Sequence, residues 1–253
     1  MSTSCPPIGL DAFPPAGGHA GARRPIWDDE RVSPTLTSTW HLVVPVKHTA
    51  RGKSRLTPPA GVERSALALA MALDTLDVVL QVVPAAQVFV VTDDPTVRTN
   101  AEALGATVVD DPGRGLNPAI EAGLAHLVRT SPGAAGAVLL GDLPALTADV
   151  LYDGLRACAA TESSVVPDES GDGTVLLTHH DAARLVPRFG AGSAARHSRT
   201  ATVLTLDLAP LRTDVDDTDA FERATRLGLG PRTAGLLDST GAPRAHNHEA
   251  GVS

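Results

Sequence analysis

Between positions 38 and 237 the apolar residues follow two alternating rhythms. Short runs at 42–46, 87–92, 107–109, 137–140, 164–166, 175–178 and 203–206 are β-branched or continuously apolar and have the length of strands. Between and after them, spacing close to 3.6 residues predicts helices over 62–82, 96–104, 118–129, 148–159 and 218–227, with Thr147 as the N-cap of its segment. Strands that are apolar on both faces and separated by helices of this length predict right-handed βαβ units. The expected architecture is a single α/β domain with a mixed, mostly parallel central sheet covered on both faces. The second half is less regular: short strands and the Gly-rich stretch Phe189-Gly-Ala-Gly-Ser193 predict loops inserted into the sheet.

Outside this region the rhythm stops. Residues 1–37 and 238–253 are rich in small and turn-forming residues without periodicity, and are expected to form disordered tails. His246 and His248 in the second tail read as solvated residues rather than metal ligands. The chain has 253 residues, 43% of them hydrophobic, and a formal charge of −8, enough to bury one full core. The acidic balance argues against a general nucleic-acid surface. No membrane span is expected, because the apolar window 134–151 is interrupted by Asp142, Pro144 and Asp149, and the N-terminus lacks a secretory pattern. Cys5 and Cys158 form neither a disulfide frame nor a zinc knuckle, so a cytoplasmic location is expected.

Candidate chemistry starts with the only two lysines, Lys47 and Lys53, which share one loop behind the first strand with Arg51 and Arg55. A cationic loop at the carboxyl edge of an open α/β sheet reads as a phosphate grip; the alternative is a solvated basic turn. Gly52-Lys53-Ser54 has the tail of a Walker A loop. Position 47 is Lys where that motif needs Gly, however, and Pro58-Pro59 would break the helix it requires. Carboxylates supply the second half of a phosphoryl site. Asp142 follows a strand and a glycine, so its side chain is expected in the crevice. Asp214 and Asp216 alternate around Val215 and project to one face if extended. Such a pair suits Mg²⁺, which takes one or two carboxylates plus phosphate oxygens and water, whereas Asp217, Thr218 and Asp219 read as a helix start.

Several segments in order, Val44-Pro-Val-Lys47 with Lys53-Ser-Arg-Leu56, Val91-Thr-Asp-Asp-Pro95, Gly115-Leu-Asn117, Gly141-Asp-Leu-Pro144, Pro167-Asp168 with Gly173-Thr174, Phe189 to His197, and Asp214-Val-Asp216, resemble the CofC/FbiD guanylyltransferases of deazaflavin coenzyme (F-420) biosynthesis. The resemblance implies a Rossmann-like, nucleotide-diphospho-sugar-transferase-type fold. It also implies transfer of GMP from GTP to the phosphate of a small phosphorylated carboxylic acid, with phosphoenolpyruvate expected before 2-phospho-L-lactate. By the same resemblance Asp142, Asp214 and Asp216 would hold Mg²⁺, and Thr174, Gly190 and Ser193 would bind the acceptor. Val175 departs from the pattern, since a polar residue is expected after the Gly-Thr pair.

This chemistry leaves the lysine and arginine loop to hold the triphosphate, with Lys47, Lys53 and Asp142 closest to the reaction. Gly115, Leu116 and Asn117, a bend opening a helix, are expected against the ribose or base. Gly190, Gly192 and Ser193 offer amides and a hydroxyl to an anion. His197 is expected near that loop, either packing or touching substrate, and Asp93 and Asp94 read as strand-end turn residues. Handover of the product to a downstream transferase and a homodimer are further expectations. Two other readings stay open: a molybdopterin or sugar-phosphate nucleotidyltransferase of the same fold, and a non-catalytic nucleotide-binding protein.

Overall fold

The computed structural model describes residues 40–240 except 51, 52 and 54. Among the described residues seven strands, β1 (Trp40–Pro45), β2 (Val88–Thr92), β3 (Thr107–Asp110), β4 (Ala135–Leu139), β5 (Ser163–Pro167), β6 (Thr174–His179) and β7 (Thr202–Val203), form one sheet in the order β3-β2-β1-β4-β6-β5-β7. β1 lies in the middle of the parallel half, paired with β2 and β4. β6 runs antiparallel to both β4 and β5, which makes the sheet mixed, as the irregular second half predicts.

Side chains alternate between two cores, as strand geometry requires. Leu42, Val44, Val88, Val90, Ala137 and Leu139 face α1 (Arg64–Val82), α2 (Pro95–Ala103) and α4 (Ala148–Cys158). Val43, Phe89, Val91 and Val138 face α3 (Leu116–Thr130) on the other side. Gly123 lets α3 sit tightly, because a Cβ there would lie 2.5 Å from Val43 and 2.7 Å from Val91. α1 is apolar enough by composition to span a membrane, with a mean hydropathy of 1.6, yet 61% of that window is buried inside the domain. It is a core helix.

Four short helices follow: α5 (Ser193–His197), α6 (Ala209–Arg212), α7 (Thr218–Leu227) and α8 (Pro231–Ser239). Thr147 caps α4 and Asp217 caps α7 as the sequence predicts, their side chains accepting the Val150 and Ala220 amides. Two expectations need correction. The strand at 203–206 is only Thr202–Val203, and α6 was not predicted. The domain does not end at 237, because α8 continues to Ser239; Pro231 starts that helix, where its missing N–H costs nothing. The expected tail at 1–37, and all of the tail expected at 238–253 beyond residue 240, lie outside the described residues.

α8 is fixed to α1 by a buried carboxylate. Asp74 accepts the Arg232 and Thr233 amides at 2.9 and 2.8 Å, so a residue from a distant helix satisfies the donors at the start of α8. Burial pushes the Asp74 pKa up, and the two amides oppose that shift. Asp74→Ala should therefore lower stability by about 2 kcal/mol, the combined effect of a lost cap and a lost charge-assisted bond. Thermal unfolding that matches the wild type would show that α8 is held by its apolar face alone.

Candidate active site

A satellite apolar cluster of Leu56, Met71, Ala145, Val215, Phe221 and Leu237 gathers three polar segments at the carboxyl edge of the parallel strands. Leu56 anchors the cationic loop, and Val215, fully buried, anchors the Asp214–Asp216 stretch. That stretch is tied to the end of β4 by the Val215 amide, which donates to the Asp142 carbonyl at 3.1 Å. Gly141 admits the close approach: a Cβ there would lie 2.9 Å from the Pro45 carbonyl. The loop is joined to the start of α7 by a backbone β-bridge between Arg55 and Asp217 and by the Thr57 amide donating to Thr218 Oγ1 at 3.0 Å.

The result is a short cation–carboxylate cluster. Lys53 Nζ is hydrogen-bonded to Asp142 Oδ2 and lies 3.2 Å from Asp216 Oδ1. Lys53 holds a left-handed backbone, with φ of 58°, and α1 begins only at Arg64, so no helix follows the lysine as a Walker A loop requires. Burial disfavours the charge on Lys53, but Asp142 and then Asp216 outweigh it and raise its pKa. Asp214 is pushed up to about 7 by burial and by the charges of Asp142 and Asp216. Asp142 Oδ1 is buried without a hydrogen-bond partner.

The donor set suits a hard cation such as Mg²⁺: oxygen atoms only, one of them orphaned, and crowded enough that Asp142 and Asp216 add to burial in raising the proton affinity of Asp214. Among the described residues no three such side chains converge closely enough to complete a metal site. Phosphate oxygens and water would have to supply the rest.

A cavity of about 110 Å³ opens beside this cluster, lined by Lys47, Lys53, Leu116, Gly141, Asp142 and Asp216. A second, of about 160 Å³, adjoins it with Lys47, His48, Asp93, Gly113, Gly115 and Leu116 in its wall. Lys47 is exposed, lines both, and has no ion-pair partner among the described residues. Gly115, with φ of 105°, turns the chain into α3 at this wall. Arg55 is exposed. Arg51 lies outside the described residues.

Asn117 is engaged elsewhere. Its carboxamide accepts the Phe189 amide at 2.7 Å and donates to the Phe189 carbonyl at 3.1 Å, which ties the start of α3 to the glycine-rich loop. That loop is braced further. Arg196 donates to the carbonyls of Arg188, Gly190 and Ala191, while Asp172 accepts the Gly192 amide at 2.7 Å. Ser193 and Thr174 meet, but both are buried; Ser193 bonds to Thr174, and Thr174 also bonds to His197. Val175, the departure from the family pattern, points into the core and is fully buried, so a polar side chain at 175 would face apolar residues.

Asp94 was expected as a turn residue, and it does cap α2. It also accepts the Thr49 amide and hydroxyl at 2.9 and 2.6 Å, fastening the cationic loop to the end of β2. Burial works against its charge, but the bonds from Thr49, Val97 and Thr96 prevail and lower its pKa. The sequence reading missed Thr49, Asp172 and Arg196. Only the spacing Asp94-Pro95 at a helix start carried a signal, and that signal names the cap rather than the loop it holds.

Residues 69–205 match the MobA-like NTP transferase domain. The phosphoenolpyruvate guanylyltransferase of Thermomonospora curvata is 44% identical over 201 residues, covering 78% of this chain and 88% of that one. The protein of that name in Salinispora arenicola is 44% identical over 215 residues, covering 83% and 98%. A crystal structure assigned as a nucleotide-diphospho-sugar transferase, from Desulfovibrio desulfuricans G20, shares the fold with a TM-score of 0.59 at 15% identity, covering 80% of this chain and 95% of that one.

Proposed function

Because the chain belongs to the MobA-like NTP transferases and, among them, to the phosphoenolpyruvate guanylyltransferases, we propose that it transfers GMP from GTP to the phosphate of phosphoenolpyruvate and releases pyrophosphate. Its place in deazaflavin coenzyme biosynthesis follows from the same resemblance. The observation that carries this reading is the meeting of Lys47 and Lys53 with Asp142 and Asp216 around one cavity at the carboxyl edge of the sheet. Cations and carboxylates together are what two polyanionic reactants require.

An oxygen of the acceptor phosphate attacks the α-phosphorus, and the bond from that phosphorus to pyrophosphate breaks. The first barrier is repulsion. At 4 Å each pair of unit charges repels by about 1 kcal/mol in water and about 4 kcal/mol at an effective dielectric of 20. Lys47, Lys53, Arg51 and Arg55 offset this by binding the triphosphate. Asp142, Asp214 and Asp216 would hold Mg²⁺, which when bound neutralises the reacting phosphate oxygens. Gly115 and Leu116 form the wall against the nucleoside, with Asn117 fixing the bend behind them. Thr174, Gly190 and Ser193 face the acceptor from the antiparallel half of the sheet. No general base is needed, since an ionised phosphate is already a nucleophile.

Pyrophosphate release from GTP with a panel of acceptors tests this reading. Phosphoenolpyruvate should support turnover, and 2-phospho-L-lactate should be used less well by about 10-fold or more, the discrimination one methyl-sized difference allows. Turnover with a hexose phosphate or a pterin phosphate, and with neither acid, would overturn it.

A further inference from the structure

The chain from Thr174 to His197 contains two linked hydrogen bonds whose directions follow from one backbone amide. The Arg188 N–H donates to His197 Nε2 at 2.9 Å. An amide nitrogen can only donate, so Nε2 presents its lone pair, and in the neutral ring the proton resides on Nδ1. Nδ1 lies 2.9 Å from Thr174 Oγ1 and donates to it. Ser193 Oγ donates to the same oxygen at 3.1 Å.

A hydroxyl has two lone pairs and one hydrogen. Both lone pairs of Thr174 are therefore occupied, and its hydrogen has no acceptor among the described residues. Thr174 is buried, 3% exposed, so the partner its hydrogen lacks has to come from a ligand that reaches it at the sheet edge. The neutral ring is maintained by burial and then by the Arg196 and Arg188 charges, which lower the His197 pKa to about 4. Phe189 packs edge-on against the ring at 5.1 Å and resists a ring flip. Thr174 begins β6, and because β6 runs antiparallel to β4 this end of it lies beside the end of β4 that leads to Asp142.

We propose that His197 is a positioning residue whose Nδ1–H tautomer makes Thr174 an obligate hydrogen-bond donor, selecting an acceptor substrate that presents an anionic oxygen there. A carboxylate or phosphate oxygen satisfies the Thr174 hydroxyl, whereas a hydroxyl or amine hydrogen at that place meets another donor. This rests on the reading that Thr174 faces the acceptor.

The test joins spectroscopy to kinetics on the full chain. Nitrogen-15 NMR of histidine-labelled protein at neutral pH should show His197 as the Nδ1–H tautomer; an Nε2–H tautomer or an imidazolium overturns the proposal. His197→Phe keeps the ring contact but loses the donor. It should raise the acceptor KM about 10-fold or more while the GTP KM stays within about 2-fold. His197→Asn places an amide N–H near the Nδ1 position and should recover part of the loss, which a purely packing role for the ring would not produce. Thr174→Val separates the two failures. If it raises the acceptor KM while His197→Phe, folded, leaves it unchanged, only the role of His197 falls. If Thr174→Val leaves the acceptor KM unchanged, the placement of Thr174 and the proposal fall together.

Discussion

Asp142→Asn should lower turnover at least about 10²-fold at saturating GTP and acceptor, the loss that follows removal of one group stabilising transition-state charge. The side chain sits at the centre of the cluster, with one oxygen on Lys53 and the other buried and unpartnered. An amide in its place keeps the shape, loses the charge and presents a donor toward Lys53. The backbone contact that holds Val215 is unaffected, since it uses the Asp142 carbonyl. Thermal unfolding should therefore change little while turnover collapses. Near-normal turnover of the variant at saturating Mg²⁺ would remove Asp142 from the mechanism.

Lys53→Ala should weaken GTP binding more than Lys47→Ala does, by about 1–3 kcal/mol for the loss of charge-assisted bonds to phosphate. The Lys53 side chain is 12% exposed, so its interactions are screened less by solvent than those of the exposed Lys47. Truncation also leaves Asp142, Asp214 and Asp216 without a counter-charge in the free protein. Added salt should narrow the gap between Lys47→Ala and the wild type more than the gap for Lys53→Ala. Calorimetric titrations giving the wild-type GTP affinity in both variants would return the loop to ordinary solvated surface.

The alternation of strands and helices was legible because the central strands β1, β2, β4 and β6 are buried on both faces and each long helix carries its own period. The cationic loop and Asp142 were legible for a related reason, since residues placed just past a strand fall at the sheet edge whatever the rest of the chain does. What joins them was not. Lys53 and Asp142 are 89 positions apart, and nothing in the sequence says that the lysine rests on the carboxylates instead of pointing to solvent. The same limit hid the closure of Thr174, Ser193 and His197 on one another: the sequence sets the three in a loop-rich stretch, and nothing in it says that Thr174 bonds to both of the others. α8 was missed for a local reason: it has only nine residues, too few turns to show a clear period, and its first residue is the proline at 231.

The central position of β1 has a consequence for how the chain acquires this fold. Trp40 pairs with Ala135, so the first strand made must wait for its second neighbour until about a hundred further residues have been added. At about 5–20 residues per second that is roughly 5–20 s on the ribosome with one edge of an apolar strand uncovered. Until then only the local β1–α1–β2 and β2–α2–β3 crossovers can form, and the large loop that β4 must close makes its docking the slow step of folding. Asp142 follows β4 directly, so the cluster it forms with Lys53 and Asp216 is among the last features to assemble.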